Sequence, residues 1–186
     1  MPSQESRRRV VLVLGGVRSG KSRYAQQLAA NSRRVAVIAT AEGRDEEMRQ
    51  RIAGHRSARP AAWTTIEAAI ELPAALATCD GEFDTILVDC LTLWASNLLE
   101  HEAQNLQRVL QHGEALAEAL RRSEASVILV SNEVGSGIVP DNELGRLYRD
   151  VLGGINQRIA AVADEVVLLV AGCPLVIKQA REAVAQ

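Results

Sequence analysis

The amino-acid sequence predicts an α/β protein with a mostly parallel sheet and helices on both faces. Short β-branched runs alternate with longer stretches of helical periodicity along the chain. Most of the short runs are continuously apolar, which is typical of central strands covered on both faces. No repeat, low-complexity tract or long linker divides the chain, so we expect residues 1–186 to form a single domain.

The elements are predicted in order from their hydrophobic periodicity. Apolar, β-branched runs predict strands at residues 10–14, 35–39, 85–88, 127–130, 166–170 and 175–178. Helical spacing of apolar residues predicts helices at residues 21–30, 45–56, 67–78, 105–122 and 142–162. Pro60 lies shortly after the second of these helices. The last helix contains Gly153 and Gly154, which predict a kink or break.

Composition argues against several classes of function. The net charge of −2 provides no basic surface, and two Trp, two Tyr and one Phe are too few for a base-stacking platform, so no nucleic-acid partner is expected. Cys79, Cys90 and Cys173 form no C-x-x-C pair, which argues against a disulfide framework or a thiolate zinc site. The first apolar run is too short for a signal peptide or a membrane span, and we expect a cytoplasmic protein.

A phosphate-binding loop follows the first predicted strand and opens the first predicted helix. It matches G-x-x-x-x-G-K-[ST] through Gly15, Gly16, Val17, Arg18, Ser19, Gly20, Lys21 and Ser22. The glycines allow backbone N–H groups to approach phosphate oxygens, and the helix N-terminus adds partial positive charge. Lys21 supplies a full positive charge, and the Ser22 hydroxyl is a ligand for Mg²⁺. The pattern predicts that the loop holds the phosphates of a nucleoside triphosphate.

A carboxylate that helps to position Mg²⁺ is expected at the end of a neighbouring strand. Asp89 directly follows the run 85–88, so Ser22 and Asp89 are the predicted metal ligands. The alternative is that Asp89 only caps the helix that follows it.

A histidine lies within the predicted helix 45–56. Met48, Ile52 and His55 are spaced at i, i+4 and i+7, which places the imidazole on the face expected to turn toward the protein. The surrounding arginines are Arg49, Arg51, Arg56 and Arg59. One interpretation is a nucleophilic or acid–base histidine in a phosphate-binding cluster. Spacing alone favours the other, a half-buried structural histidine with arginines on a solvated face.

A polar loop follows the strand 127–130. Polar groups at the carboxyl end of a parallel strand face the ligand crevice, so Glu133 is a candidate proton acceptor, with Gly135 and Gly137 in a flexible lid. Equally, Asn132 and Glu133 satisfy backbone groups at the strand end, and Asp141 or Asn142 caps the next helix.

Several segments resemble the bifunctional adenosylcobinamide kinase / adenosylcobinamide-phosphate guanylyltransferase family of cobalamin biosynthesis. They are GGVRSGKS (15–22), RIAGHRSARPAAW (51–63), VDCLTLWASNLL (88–99), SNEVGSGIVPDNELGRLYRDVLGGINQRIA (131–160) and ADEVVLLVAG (163–172). The P-loop is common to many families, whereas the stretch 131–172 is specific to this one. The resemblance implies a RecA-like P-loop core, one nucleotide-binding catalytic domain and a homotrimer.

The resemblance also implies two reactions with ATP or GTP and Mg²⁺. The terminal phosphate is first transferred to the hydroxyl of adenosylcobinamide. GMP from GTP is then carried on a histidine and passed to adenosylcobinamide phosphate, with release of pyrophosphate. The histidine corresponds to His55, and Lys21 is the other expected catalytic residue. Besides the P-loop and Asp89, the implied nucleotide contacts are Ala39, Thr40, Ala41, Arg56, Ser57, Ala58, Arg59 and Glu67.

Two other functions are compatible with the P-loop. A plain small-molecule kinase would transfer phosphate but carry no covalent nucleotide on His55. A P-loop switch would bind nucleotide tightly, turn over slowly and have no small-molecule acceptor. The distributed match to one biosynthetic family favours the bifunctional enzyme.

Overall fold

The computed structural model describes residues 8–57 and 59–179. Its strands are β1 (Val10–Gly15), β2 (Val35–Ala39), β3 (Thr64–Glu67), β4 (Thr85–Asp89), β5 (Ser126–Val130), β6 (Glu165–Val170) and β7 (Cys173–Lys178). Its helices are α1 (Lys21–Ala29), α2 (Glu46–Ser57), α3 (Leu72–Cys79), α4 (Leu91–His101), α5 (Leu106–Arg122) and α6 (Glu143–Val162).

The strands form one 7-stranded sheet in the order β3-β2-β4-β5-β1-β6-β7. All neighbouring strands are parallel except β6 and β7, which pair antiparallel. Parallel pairing brings the carboxyl ends of β1 to β6 to one edge of the sheet. The predicted α/β class is confirmed.

A separate apolar cluster covers each face of the sheet. In β1, Val10 and Leu12 point into the larger cluster, whereas Val11 and Val13 point into the smaller one. The larger cluster contains side chains from α3, α4, α5 and α6, and the smaller one contains Ala25 and Ala29 from α1. Both faces are therefore covered, which explains why the central strands are apolar at every position rather than at alternate ones.

The expected break at the two glycines is wrong, because α6 runs continuously through them. The helix packs against α5, and a Cβ on Gly154 would lie 2.7 Å from the Leu110 side chain. Glycine at this position therefore permits close approach of the two helices. The propensity cost of glycine, about 1 kcal/mol in a helix interior, is offset by this packing.

Strand β3 and helix α4 have no counterpart among the predicted elements, and helix α3 begins later than predicted. The predicted helix 67–78 is wrong at its start, because Thr64–Glu67 forms the edge strand β3 and α3 begins only at Leu72. Pro73 lies in the first turn of α3, where no intrahelical N–H bond is required. Helix α4 was not predicted at all. The other predicted helices agree with the structure to within one residue at each end.

Helix α2 differs from the other helices in how it packs. None of its described side chains is buried, and Met48 and Ile52 are only half-buried. None of its described side chains belongs to either apolar cluster. It therefore lies on the outside of the core rather than within a layer of it. In the part of the chain that the structure describes, no helix is long and apolar enough to cross a membrane.

Candidate active site

The candidate site is assembled at the carboxyl edge of the sheet. Ala39 at the end of β2 is in register with both Glu67 of β3 and Asp89 of β4. Asp89 is in register with Val130 of β5, which in turn pairs with Val13 of β1, close to the P-loop. Predicted residues that lie far apart in the sequence therefore form one row across the strand ends.

The P-loop, residues 15–22, runs from the last residue of β1 into the first turn of α1. Ser19 N donates to Gly16 O at 3.3 Å, which closes a turn within the loop. Gly16, Val17 and Arg18 are exposed. Gly20 adopts a left-handed conformation at the N-cap of α1, with φ of 97°. The loop therefore presents its backbone at the start of a helix, where partial positive charge favours an anion.

Lys21 lies over this loop with most of its surface buried. Its Nζ donates to Gly16 O at 2.6 Å, and the residue is 8 % exposed. Burial lowers the pKa of Lys21, because desolvation disfavours the charged amine, while the negative charge of Asp89 acts in the opposite direction. The ammonium group is thus held at the loop and within electrostatic range of Asp89.

The P-loop is in contact with β6, with the turn between β6 and β7, and with the loop after β5. Gly172 N donates to Ser19 O at 2.9 Å. A Cβ on Gly15 would lie 2.5 Å from Leu169 O, so the first loop glycine is required for close approach to β6. Glu133 N also donates to Gly15 O, at 3.1 Å. Contacts from outside the motif therefore help to hold the conformation of the loop.

Asp89 is the point where the predicted residues meet. Its Oδ2 accepts a hydrogen bond from Arg59 Nη2 at 2.9 Å and lies 3.7 Å from His55 Nδ1. The side chains of Arg59 and Asp89 are 8 % and 12 % exposed, respectively. Arg59 Nε is buried and has no hydrogen-bond partner. The peptide bond between Asp89 and Cys90 is cis.

His55 is more exposed than its helical spacing predicts. Its side chain is 53 % exposed, and its ordered neighbour is Asp89 rather than an apolar core. Nδ1 is turned toward Asp89, but the imidazole is not buried among apolar side chains, because no described side chain of α2 is buried. The imidazole is instead open to solvent and to a ligand beside the carboxylate.

The remaining predicted contacts lie at the same edge with different exposure. Thr40 is fully buried, Ala41 is half-buried, and Arg56, Ser57 and Glu67 are exposed. Ala58 lies outside the described residues. His101 is the last residue of α4, and His112 lies on α5, where its Nε2 is 2.9 Å from Glu102 Oε1.

The loop 131–142 is fixed by its own side chains. Glu133 Oε1 accepts hydrogen bonds from the backbone N–H groups of Gly135 and Ser136. Asn142 Oδ1 accepts from Gly145 N at 2.7 Å and caps α6. These contacts match the structural alternative for both residues. Two arginines of α6 also bind carbonyl oxygens of this loop: Arg146 binds those of Pro140 and Asp141, and Arg149 those of Gly135 and Ile138.

Asn97 binds the backbone beside the site, and no motif in the sequence marks it. It lies on α4, is 6 % exposed, and its Nδ2 donates to Thr40 O at 2.8 Å and to Ala69 O at 3.1 Å. A single amide within the apolar stretch Leu91–His101 was the available signal. A polar side chain buried in such a helix needs hydrogen-bond partners. Here they are the carbonyl oxygens of Thr40, just after β2, and Ala69, just after β3.

The predicted metal ligands are chemically suited to Mg²⁺. A hydroxyl on Ser22 and a carboxylate on Asp89 are hard oxygen ligands, and the Arg59 contact uses Oδ2, which leaves Oδ1 for a cation. Within residues 8–57 and 59–179, no group of three or more His, Cys, Asp and Glu residues could by itself hold a metal.

A comparison with protein families matches residues 11–177 to the model described as cobinamide kinase / cobinamide phosphate guanyltransferase. The chain belongs to this family. The match includes the P-loop, α2 and the loop after β5, so the residues assembled at the sheet edge lie inside the family region.

Curated relatives agree with this assignment. A bifunctional adenosylcobalamin biosynthesis protein, CobP, from Pseudomonas aeruginosa PAO1 is 48 % identical over 168 residues, which cover 90 % of this chain and 96 % of that protein. The proteins named CobU from Salmonella typhimurium LT2 and Escherichia coli K12 are 41 % and 39 % identical over 180 residues, covering 91 % of this chain and 99 % of each relative.

A solved structure shows the same fold at low sequence identity. It comes from a structural and biochemical study of a prototypical ATPase of the type III secretion system of pathogenic bacteria. It superimposes with a TM-score of 0.55 at 10 % identity, over 86 % of this chain and 50 % of that one. This likeness supports the RecA-like P-loop fold alone.

Proposed function

We propose that this protein phosphorylates adenosylcobinamide with ATP or GTP and then converts the product to adenosylcobinamide-GDP through a GMP group carried on His55. Family membership and the names of the relatives support the two activities. The observation that carries the covalent step is the position of His55 Nδ1, 3.7 Å from the Asp89 carboxylate at the P-loop edge.

In the first reaction, the hydroxyl oxygen of adenosylcobinamide attacks the γ-phosphorus of the bound nucleotide. A new O–P bond forms, the bond from the γ-phosphorus to the bridging oxygen breaks, and the nucleoside diphosphate leaves. The P-loop N–H groups and Lys21 bind the phosphate oxygens on which negative charge accumulates. The hydroxyl proton passes to solvent or to a base that we do not assign.

In the second reaction, the nucleophile is an imidazole nitrogen of His55. Since Nδ1 faces Asp89, we assign its proton to Nδ1 and the free lone pair to Nε2. Nε2 attacks the α-phosphorus of GTP, an N–P bond forms, and the bond to the β-phosphate oxygen breaks. Pyrophosphate leaves from the P-loop, whose donors already bind the outer phosphates. Asp89 stabilises the positive charge that develops on the imidazole.

Transfer to the acceptor reverses this chemistry. A phosphate oxygen of adenosylcobinamide phosphate attacks the phosphorus of the histidine-bound GMP. The P–N bond breaks, its electron pair returns to Nε2, and adenosylcobinamide-GDP is released. The Arg59 guanidinium, which pairs with Asp89 beside His55, would bind the phosphoryl oxygens during both transfers.

Mg²⁺ belongs to the proposal, with Ser22 and Asp89 as the residues that would hold it. When bound, it would supply charge neutralisation at the phosphate oxygens. The remaining nucleotide contacts are proposed at the ends of β2 and β3, through Ala39, Ala41 and Glu67, and in the chain after His55, through Arg56, Ser57 and Ala58.

The assembly and location are proposed from the resemblance and the composition. We expect a homotrimer, as in the family, measured as molar mass by light scattering. We expect a cytoplasmic protein, in agreement with the free thiols of Cys79, Cys90 and Cys173.

The test is retention of label from GTP labelled in its α-phosphate. Wild type, His55→Ala and the control His112→Ala are incubated with Mg²⁺ and either labelled GTP or labelled ATP, then denatured. We expect acid-labile, alkali-stable label from GTP in wild type and His112→Ala, and none in His55→Ala. Absence of label from wild type that binds GTP would refute the covalent route and leave a plain kinase.

A further inference from the structure

Three strand ends meet beside Asp89, and their regular pairing stops there. Ala68 N donates to Ala39 O at 2.9 Å, and Thr40 N donates to Asp89 O at 3.3 Å. Beyond these bonds the chain leaves β2 for α2, β3 for α3 and β4 for α4. The backbone ladder therefore cannot by itself fix the peptide groups that follow Asp89.

The Thr40 side chain continues the connection between β2 and β4. Its Oγ1 donates to Cys90 O at 2.7 Å and accepts from Cys90 N at 3.0 Å. One hydroxyl thus binds both backbone polar groups of the residue that follows Asp89. Thr40 is 0 % exposed, so this hydroxyl is not available to a nucleotide. Any effect of the Thr40 hydroxyl on the reaction must pass through the Asp89–Cys90 backbone.

Asn97 binds the same region from α4. Its Nδ2 carries two hydrogens, and these go to Thr40 O at 2.8 Å and Ala69 O at 3.1 Å. Its Oδ1 lies 3.5 Å from Arg44 Nη2, in the segment that leads to α2, and Arg44 Nη1 also donates to Glu100 Oε2. Asn97 therefore links α4 to the ends of β2 and β3 and to the base of the helix that carries His55.

We propose that Thr40 and Asn97 are positioning residues that hold the Asp89 carboxylate where it meets Arg59 and His55. Both side chains are buried, at 0 % and 6 % exposure. Thr40 binds the backbone of Cys90, the residue that follows Asp89. Asn97 binds the backbone carbonyl groups of Thr40 and Ala69. This inference rests on the proposed function, because Asp89 is assigned a role in both reactions.

The substitutions separate the hydroxyl from the shape of the side chain. Thr40→Val keeps the volume and removes both hydrogen bonds, while Thr40→Ser keeps the hydroxyl. Asn97→Asp keeps the shape and removes both donors. The matched control is Ser123→Ala, since Ser123 is 4 % exposed and its Oγ donates to Asp80 Oδ1 at 2.9 Å. Ser123 precedes β5, at the opposite edge of the sheet.

The first readout is exchange of labelled pyrophosphate into GTP, which follows guanylylation without a corrinoid. The second is phosphorylation of adenosylcobinamide, and the third is urea unfolding. Since small misplacement of a reacting group costs about 100-fold in rate, we expect Thr40→Val and Asn97→Asp to lower kcat in both reactions by about 10- to 100-fold. KM for GTP should change much less. Thr40→Ser should restore kcat to near the wild-type value.

Ser123→Ala should lower urea stability and leave both kcat values unchanged. The positioning role is overturned if Thr40→Val is destabilised but retains wild-type kcat, or if Thr40→Ser fails to restore it. If Thr40→Val does not fold, the same comparison is made with Asn97→Asp. A wild type with kinase activity but no exchange would refute the covalent route, and the kinase kcat would then decide the positioning role alone.

Discussion

The Arg59–Asp89 ion pair permits a quantitative prediction of stability. Arg59 Nη2 and Asp89 Oδ2 are 2.9 Å apart, and both side chains are largely buried, at 8 % and 12 % exposure. At that distance the gross Coulomb attraction is about 6 kcal/mol for an effective dielectric constant near 20. Removal of one partner from a buried pair costs about 3–5 kcal/mol, because the other charge stays buried and unpaired.

We expect Arg59→Met to lower the free energy of unfolding by about 2–4 kcal/mol, slightly below that range because Asp89 keeps some contact with water. Urea unfolding at neutral pH measures this change, with EDTA present so that no divalent cation replaces the guanidinium. The double variant Arg59→Met/Asp89→Asn should recover a large part of the loss, since it contains no buried charge at this position.

The matched control is an ion pair at the surface. Arg34 Nη2 lies 2.7 Å from Asp84 Oδ1, but the two side chains are 58 % and 41 % exposed. Arg34→Met should therefore lower the free energy of unfolding much less than Arg59→Met does. If Arg59→Met costs no more than Arg34→Met, burial does not govern the strength of the Arg59 contact, and the reasoning fails.

Two further predictions concern thiols and pH. Cys173 is exposed and Cys79 is buried, and burial raises the pKa of both Cys79 and Cys90. A thiol reagent should react rapidly with Cys173 alone until the protein is unfolded, and rapid labelling of Cys90, mapped by mass spectrometry, would contradict this. The hydrogen bond from His112 lowers the pKa of Glu102 below its ordinary value of 4.5. Glu102→Gln should therefore destabilise the protein at neutral pH, and the difference should disappear as pH falls from 4.5 through the lowered pKa. Equal destabilisation above and below that window would show that the carboxylate charge is not responsible.

Local patterns in the sequence were sufficient for much of the fold. The apolar run at residues 10–14 followed by the P-loop motif predicts a strand, a phosphate-binding loop and a helix, because each depends on neighbouring residues. Helix α4 is not predicted from local patterns, since a short apolar stretch can be a helix or a strand. Its placement depends on burial against the sheet, which no local window contains.

The relations between distant residues were decided by the tertiary structure. Arg59 and Asp89 are 30 positions apart, Thr40 and Cys90 are 50 apart, and Thr40 and Asn97 are 57 apart. They meet because β2 and β4 pair in parallel with Ala39 beside Asp89, although β3 lies between them in the sequence.

The exposure of His55 also depends on the tertiary structure. Periodicity reports which side of α2 carries apolar groups, but the packing of the whole helix decides whether that side is buried. Sequence patterns thus determined which chemical groups the protein carries and the local structure around them. The pairing order of the strands determined which of those groups act together, because contacts across a sheet depend on register rather than on distance along the chain.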